Sequence, residues 1–322
     1  MAEERFAART YELALRVQET VSKALVGQKR LLQECLVAVL AGGHVLLEGV
    51  PGTAKTLLVR ALAIALGKDF RRVQMTPDLM PSDILGTYVF DMESRQFYLR
   101  QGPIFTQFLL ADEINRAPAK TQSALLEGMQ EKQVTIDGTS HPLDPDFTVF
   151  ATQNPVEFEG TYPLPEAQLD RFMLKVIVDY PAREEEQELL RRYDQGFDAN
   201  RLAEAGVRAV TTPEELAACR AEVAKVTVSD AVLGYILDLA RATRESPLLT
   251  LGCSPRAAVM VLLAAKTLAA LRGKDYVGPD EVQAMALPAW RHRLILRPEV
   301  EIEGQTPDDV IRTVIASVPV PR

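Results

Sequence analysis

The sequence predicts an α/β protein: a parallel five-stranded sheet with helices on both faces, followed by an all-α second part. Three observations carry this. Short apolar or β-branched runs alternate with helical segments over the first 182 residues. One of these runs passes through a glycine-containing turn into a lysine, a hydroxyl and a helix. Beyond residue 182 the strand signals stop and helix signals take over.

In chain order, residues 1–24 read as an amphipathic helix that ends before Val26-Gly27-Gln28, and residues 28–41 as a second helix leading into the strand Val45-Leu46-Leu47. A helix over Thr56–Leu66 follows, stopped by Gly67. Further strands are expected at Phe70–Gln74, Phe108–Ala111, Phe147–Ala151 and Leu174–Val178; continuous apolar runs of this kind suit a parallel sheet covered on both faces. Two hairpins interrupt the rhythm. In 86–100, aromatic strand residues flank the polar turn Asp91–Arg95, and in 132–142 Asp137-Gly138 marks the tip. Arg183–Tyr193 is a helix with a charged face and Asp194–Val210 a connector, which places the domains at 1–193 and 194–322. Thr212-Pro213-Glu214-Glu215 reads as a capping box with proline at the first helical position. Helices are expected at 213–224, 229–244, 255–271 and 279–289, with Ser254-Pro255 and Gly278-Pro279 as starts and Gly273 as a stop. There is no internal repeat.

The stretch His44–Thr56 has the construction of a phosphate cradle. The loop Gly49, Val50, Pro51, Gly52, Thr53, Ala54 can turn its N–H groups toward a β-phosphate, and the helix that follows through Leu57 adds its N-terminal partial charge. Lys55 then reaches the β- and γ-phosphates of ATP, and the Thr56 hydroxyl ligates Mg²⁺. The usual pattern has glycine immediately before the lysine. Ala54 in that place requires a backbone that is already helical, not one at positive φ.

Phe108–Glu113 ends a buried strand on two carboxylates. Asp112 joins Thr56 in the Mg²⁺ shell and Glu113 polarises the attacking water, the division of labour that phosphoryl transfer needs. Asn154 ends the next strand, where a carboxamide can orient that water or touch the γ-phosphate. Arg171 closes a short helix and can project into a neighbouring subunit's site. Arg256, in the first turn of a later helix, can fold over the γ-phosphate. Each has a plainer alternative: a solvated Lys55, a solvated strand end, a turn-forming Asn154 before Pro155, an Asp170–Arg171 surface pair, and a helix-surface arginine at 256.

The bulk numbers narrow the classes. With 36 Lys+Arg against 44 Asp+Glu the net charge is −8, which removes the broad basic footprint of a nucleic-acid binder. Cys35, Cys219 and Cys253 are odd in number and scattered, which suits reduced buried thiols in a cytoplasm. His44, His141 and His292 lack ligand-like spacing and read as structural or surface groups. The N-terminus lacks an apolar signal core, and the apolar stretches near 36–41 and 257–271 are too short or too amphipathic to span a bilayer. A cytoplasmic protein without membrane insertion is expected.

These elements, in this order, resemble the AAA+ ATPases. Val26-Gly27-Gln28 resembles the family's N-terminal adenine-contact box, Gly49–Thr56 Walker A, Phe108–Glu113 Walker B, Asn154 sensor 1, Arg171 the arginine finger and Arg256 sensor 2. Asp83–Phe105 resembles the helix-2 insert and Lys132–Pro142 the pre-sensor-1 hairpin. Within that clade the strings 49–56, 111–117, 160–172 and 317–322 are similar to the MoxR family, which commonly tolerates the alanine seen at Ala54. The resemblance implies a P-loop AAA+ core with a C-terminal all-α lid. ATP would lie in the cleft between them, its γ-phosphate sensed by Asn154 and Arg256. It also implies a chaperone-like ATPase assembled as a homo-oligomeric ring, usually hexameric. Such rings act on partners with von Willebrand factor A domains. Two rivals are a nucleic-acid motor and a nucleotide-switched scaffold that barely hydrolyses ATP. The second hairpin tip, Ile136–Ser140, carries an acid and no cation, which opposes the first rival, and the intact Asp112-Glu113 pair opposes the second.

Overall fold

The computed structural model describes residues 7–155 and 162–321. The first six residues of the expected N-terminal helix, Gly160 and Thr161 of the 160–172 string, and Arg322 lie outside them. The chain begins with α1 (Ala8–Ser22) and α2 (Lys29–Leu40), then β1 (Val45–Glu48), α3 (Lys55–Ala65) and β2 (Phe70–Gln74). After α4 (Pro81–Leu85) come the first hairpin, β3 (Gly86–Asp91) and β4 (Gln96–Gln101), then β5 (Phe108–Asp112) and α5 (Ala119–Glu131). The second hairpin, β6 (Gln133–Ile136) and β7 (Thr139–Pro142), turns through Asp137 and Gly138, both at positive φ, as a two-residue hairpin loop demands. β8 (Thr148–Gln153), α6 (Glu166–Leu169), β9 (Leu174–Ile177) and α7 (Arg183–Asp194) complete the α/β part.

The main sheet runs β2-β5-β8-β1-β9, with every adjacent pair parallel. Its two faces bury separate cores. Val45, Leu47, Leu110 and Phe150 face a cluster shared with α1–α3, whereas Leu46, Leu109, Val149 and Ala151 face one shared with α5 and the base of the first hairpin. The period of two along each strand makes that partition. His44 pins the entry to β1. Its Nδ1 accepts the Val149 N–H at 2.9 Å while Nε2 lies 3.0 Å from the Met129 carbonyl. Burial lowers its pKa to about 3, so it serves as a neutral bracket, the structural role expected of it.

The C-terminal part contains α8 (Pro213–Lys225), α9 (Asp230–Glu245), β10 (Leu249–Leu251), α10 (Pro255–Leu271), α11 (Pro279–Trp290), β11 (Ile295–Leu296), α12 (Pro298–Ile302) and α13 (Pro307–Ser317). Strands therefore do not stop at residue 182, because β10 and β11 pair as a short antiparallel ribbon. The Thr212 box is half made. Thr212 Oγ1 accepts the Glu215 N–H at 3.2 Å, but the Glu215 carboxylate turns to Thr211 and Arg16 instead of returning to the cap. A complete box forms at Thr306 and Asp309, starting α13.

Three consecutive residues after α11 fasten this part to the sheet. Arg291 makes two 2.9 Å bonds to Asp308 and donates to the Lys175 carbonyl; His292 Nε2 lies 3.0 Å from the Phe172 carbonyl; Arg293 donates to the Phe172 and Met173 carbonyls and to Asp170. All three are buried, and the hydrophobic cluster of α1–α3 continues into α8–α13. Cys35, Cys219 and Cys253 are buried free thiols, and burial pushes each upward, Cys219 to about 11. No helix among the described residues is long and apolar enough to cross a membrane.

Candidate functional site

The loop after β1 meets the ends of β5 and β8 at the carboxyl edge of the sheet, where open α/β sheets hold ligands. A cleft of about 470 Å³ opens there, lined by Pro51–Leu57, Asp112, Glu113 and Asn154, with Leu189, Tyr193 and Asn200 on the opposite wall. That wall belongs to α7 and the connector. The expected cleft against the helical lid is instead a second depression of about 320 Å³, where Gln28, Tyr180 and Glu185 face Arg291 and Asp308.

Gly49 is dictated by close approach, since a Cβ there would overlap the Val178 carbonyl just past the end of β9. Gly52 reaches φ +84° at the exposed tip, and Thr53 Oγ1 ties back to the Val50 carbonyl at 2.9 Å. Ala54 sits at φ +61°, ψ +22°, contrary to the expectation that alanine requires a right-handed backbone here. The turn forces the left-handed conformation and the methyl group bears it. That conformation costs a non-glycine residue about 1–2 kcal/mol, partly offset by glycine's greater freedom when unfolded. Ala54→Gly is accordingly expected to stabilise the chain by about 0.5 kcal/mol, read as a rise in the denaturant midpoint. A midpoint that falls would contradict the strained turn.

α3 starts without a side-chain cap, so its first-turn amides face the cleft. Lys55 Nζ folds onto the loop, donating to the Gly49 and Val50 carbonyls at 2.6 and 2.8 Å. Burial holds its pKa below the ordinary lysine value, opposed by Asp112 and Glu113. Thr56 lines the same cleft. The turn holding Val26 and Gly27 stands outside it. Glu185 covers Gly27 where a side chain would be, and Gln28 Nε2 reaches the Thr53 carbonyl at 3.5 Å.

Asp112 and Glu113 are held by residues that sequence reasoning passed over. Thr152 Oγ1 donates to Asp112 Oδ1 at 2.6 Å and accepts the Glu113 N–H at 2.8 Å. Arg72 donates to Asp112 Oδ2 through Nε at 3.0 Å and Nη2 at 2.6 Å. Gln74 Nε2 and Arg116 Nη1 donate to Glu113 Oε2 at 2.8 and 3.0 Å. The available signal was the alternation in Phe70-Arg71-Arg72-Val73-Gln74, which places polar residues 72 and 74 on one face of a strand. Asn154 is buried at the end of β8 on the cleft wall.

Arg171 and Arg256 do not line the cleft of their own chain. Arg171 is half-buried in the turn after α6, and Arg256 is exposed in the first turn of α10. Asp170 pairs with Arg293 at 2.6 Å and with Arg256 at 3.5 Å, in place of the Asp170–Arg171 surface pair that is the plainer alternative for Arg171.

The donor set fits a magnesium nucleotide. Among the described residues no group of three or more His, Cys, Asp or Glu could hold a metal. A hard cation is instead offered the Asp112 carboxylate and the Thr56 hydroxyl, and it completes such a shell with phosphate oxygens and water. The uncapped amides and Lys55 supply the matching anion site.

A profile described as the ATPase family associated with various cellular activities (AAA) matches residues 44–174, and an AAA lid domain profile matches residues 241–314. The YeaC protein of Bacillus subtilis is 43% identical over 94% of this chain and 93% of its own length. Chaperone MoxR1 of Mycobacterium tuberculosis is 42% identical over 94% of this chain and 81% of its own length. A crystal structure from Cytophaga hutchinsonii, of a protein assigned as an ATPase, superposes with a TM-score of 0.89 at 42% identity, covering 99% of this chain and 98% of that one.

Proposed function

Since the chain belongs to the MoxR family of AAA ATPases, we propose that it hydrolyses ATP in the cleft between Lys55 and Asp112 and couples turnover to remodelling or maturation of a client protein complex. The observation that carries this reading is convergence: uncapped helix amides, Lys55, Thr56 and two strand-end carboxylates meet in one cleft of about 470 Å³.

Lys55 leaves the Gly49 and Val50 carbonyls for the β- and γ-phosphate oxygens, exchanging neutral acceptors for charged ones. Thr56 and Asp112 would hold Mg²⁺, which would neutralise charge on the transferring phosphoryl group. Glu113 orients the attacking water and takes its proton. Asn154, fixed at the end of β8, holds the water or the γ-phosphate in line. Val26 and Gly27, tied to the loop through Gln28, border the base.

Arg171 and Arg256 lie outside their own cleft, with Arg256 paired to Asp170 beside Arg171, and serve a neighbouring copy's nucleotide in a closed ring, which we take to be a hexamer in the cytoplasm. Heterologous contacts that close by rotation build such a ring. The first hairpin exposes Phe90, Met92, Phe97 and Tyr98, and its exposed arginines Arg95 and Arg100 are accompanied by the exposed acid Glu93, a mixed apolar surface better suited to a protein partner than to a phosphate backbone. A protein with a von Willebrand factor A domain is the client or cofactor we propose.

The test is complementation in mixed rings. Arg171→Ala and Glu113→Gln chains are each expected to be inactive, because an arginine finger contributes about 10³–10⁵ in rate. Mixing them brings an intact Arg171 beside an intact Glu113, and activity returns. No recovery in rings shown by native mass spectrometry to be mixed would remove Arg171 from the neighbour's site.

A further inference from the structure

Arg72 holds the very carboxylate that the metal site requires. It stands on β2, the edge strand beside β5, and its side chain runs along the cleft to the end of β5. Two of its N–H groups meet Asp112 Oδ2, at 3.0 and 2.6 Å, and the Thr152 hydroxyl takes Oδ1. A carboxylate offers about four acceptor positions, so these three donors leave little of Asp112 for a cation. We infer that Arg72 is a positioning residue that occupies Asp112 until nucleotide arrives, so that the cation enters with the nucleotide and not ahead of it. This inference rests on the magnesium-nucleotide reading of the cleft.

The competition follows from charge and supply. A divalent cation at Asp112 meets the guanidinium across a single carboxylate, and like charges in a partly buried site repel strongly. Unaccompanied, the cation gains one carboxylate and the Thr56 hydroxyl, with no further acidic or imidazole cluster among the described residues. Nucleotide changes both sides of the balance. Its phosphate oxygens complete the cation's shell, and they give the released guanidinium a planar, charged partner of the kind arginine binds best. Arg72 has room for the move. Its side chain is 49% exposed against 13% for Asp112, and among the described residues β2 is an edge strand of the sheet. Both guanidinium N–H groups converge on the one oxygen Oδ2, so a lysine at 72 keeps the blocking charge while losing the paired contact.

Mn²⁺, followed by the electron paramagnetic resonance signal of the free ion, reads metal binding directly. Wild-type chain is expected to bind Mn²⁺ weakly alone and at least tenfold more tightly in the presence of ADP. Arg72→Gln is expected to raise the ADP-free affinity at least tenfold, shrinking the gain that ADP confers, whereas Arg72→Lys keeps the charge and stays near wild type. If Arg72→Gln binds Mn²⁺ without ADP no better than wild type while ADP still tightens binding in both, the inference is overturned and the nucleotide reading stands. It is overturned too if the lysine variant behaves as the glutamine one. If the wild-type chain gains no Mn²⁺ affinity from ADP at all, the nucleotide reading itself fails and takes this inference with it.

Discussion

Glu113→Gln is expected to bind ATP as wild type does and to lose turnover by about 10²–10⁴-fold, the usual contribution of a positioned general base. The substitution keeps size and shape and removes the one basic oxygen free for the water. Oε2 of Glu113 is already engaged by Gln74 and Arg116, and the backbone N–H is fixed by Thr152. These contacts set the carboxylate's orientation, and a carboxamide can adopt it but cannot accept the proton. Released phosphate under single-turnover conditions measures the step itself, free of product release. A variant within threefold of wild type would mean that another group activates the water. The same variant separates an ATPase from a nucleotide-switched scaffold, in which wild type and variant turn over equally slowly.

Lys55→Ala is expected to weaken nucleotide binding by about ten- to a hundredfold, because a hydrogen bond to a charged group contributes about 1.5–3 kcal/mol. Part of the loss comes from the loop itself. Lys55 holds the carbonyls of Gly49 and Val50 before nucleotide enters, so the alanine variant leaves those acceptors to water and the turn less defined. Titration with a fluorescent ATP analogue reads the affinity, and unchanged affinity would deny the lysine its phosphate role. Lys55→Arg is a poor rescue, since a guanidinium cannot reproduce the compact contact with both carbonyls.

The parts legible in the sequence are those written in local chemistry. The strand at 45–47, the glycine turn and the Lys55-Thr56 helix start announce the loop. The alternation of short apolar runs with helices announces the parallel sheet, and Asp137-Gly138 announces its hairpin. What stayed hidden depends on partners distant in the chain. Arg72 reaches Asp112 only because β2 pairs with β5 in register; alternation puts it on the opposite face from Arg71, but nothing local says which face meets the cleft. Glu215 is drawn off its cap by Arg16, 199 residues away. The three buried residues 291–293 dock the C-terminal part onto the start of β9 and the turn before it, through carbonyls that no side-chain pattern reveals. Ala54 is the instructive case. The rule that alanine avoids positive φ is sound, and the phosphate turn overrides it at a cost of about 1–2 kcal/mol. The start of α13 was legible by the signal applied at Thr212, since Thr306-Pro307-Asp308-Asp309 has the same form.

The amides before and within the first turn of α3, together with Lys55, are expected to grip a triphosphate while Thr56 and Asp112 hold its metal. The direct test is a crystal structure of the Glu113→Gln chain with Mg²⁺ and ATP. The phosphates are expected against residues 52–56, with Lys55 turned away from the Gly49 and Val50 carbonyls and the cation held by Thr56 and Asp112. Nucleotide seated elsewhere on the chain, with Lys55 still bound to its own loop, would contradict this placement.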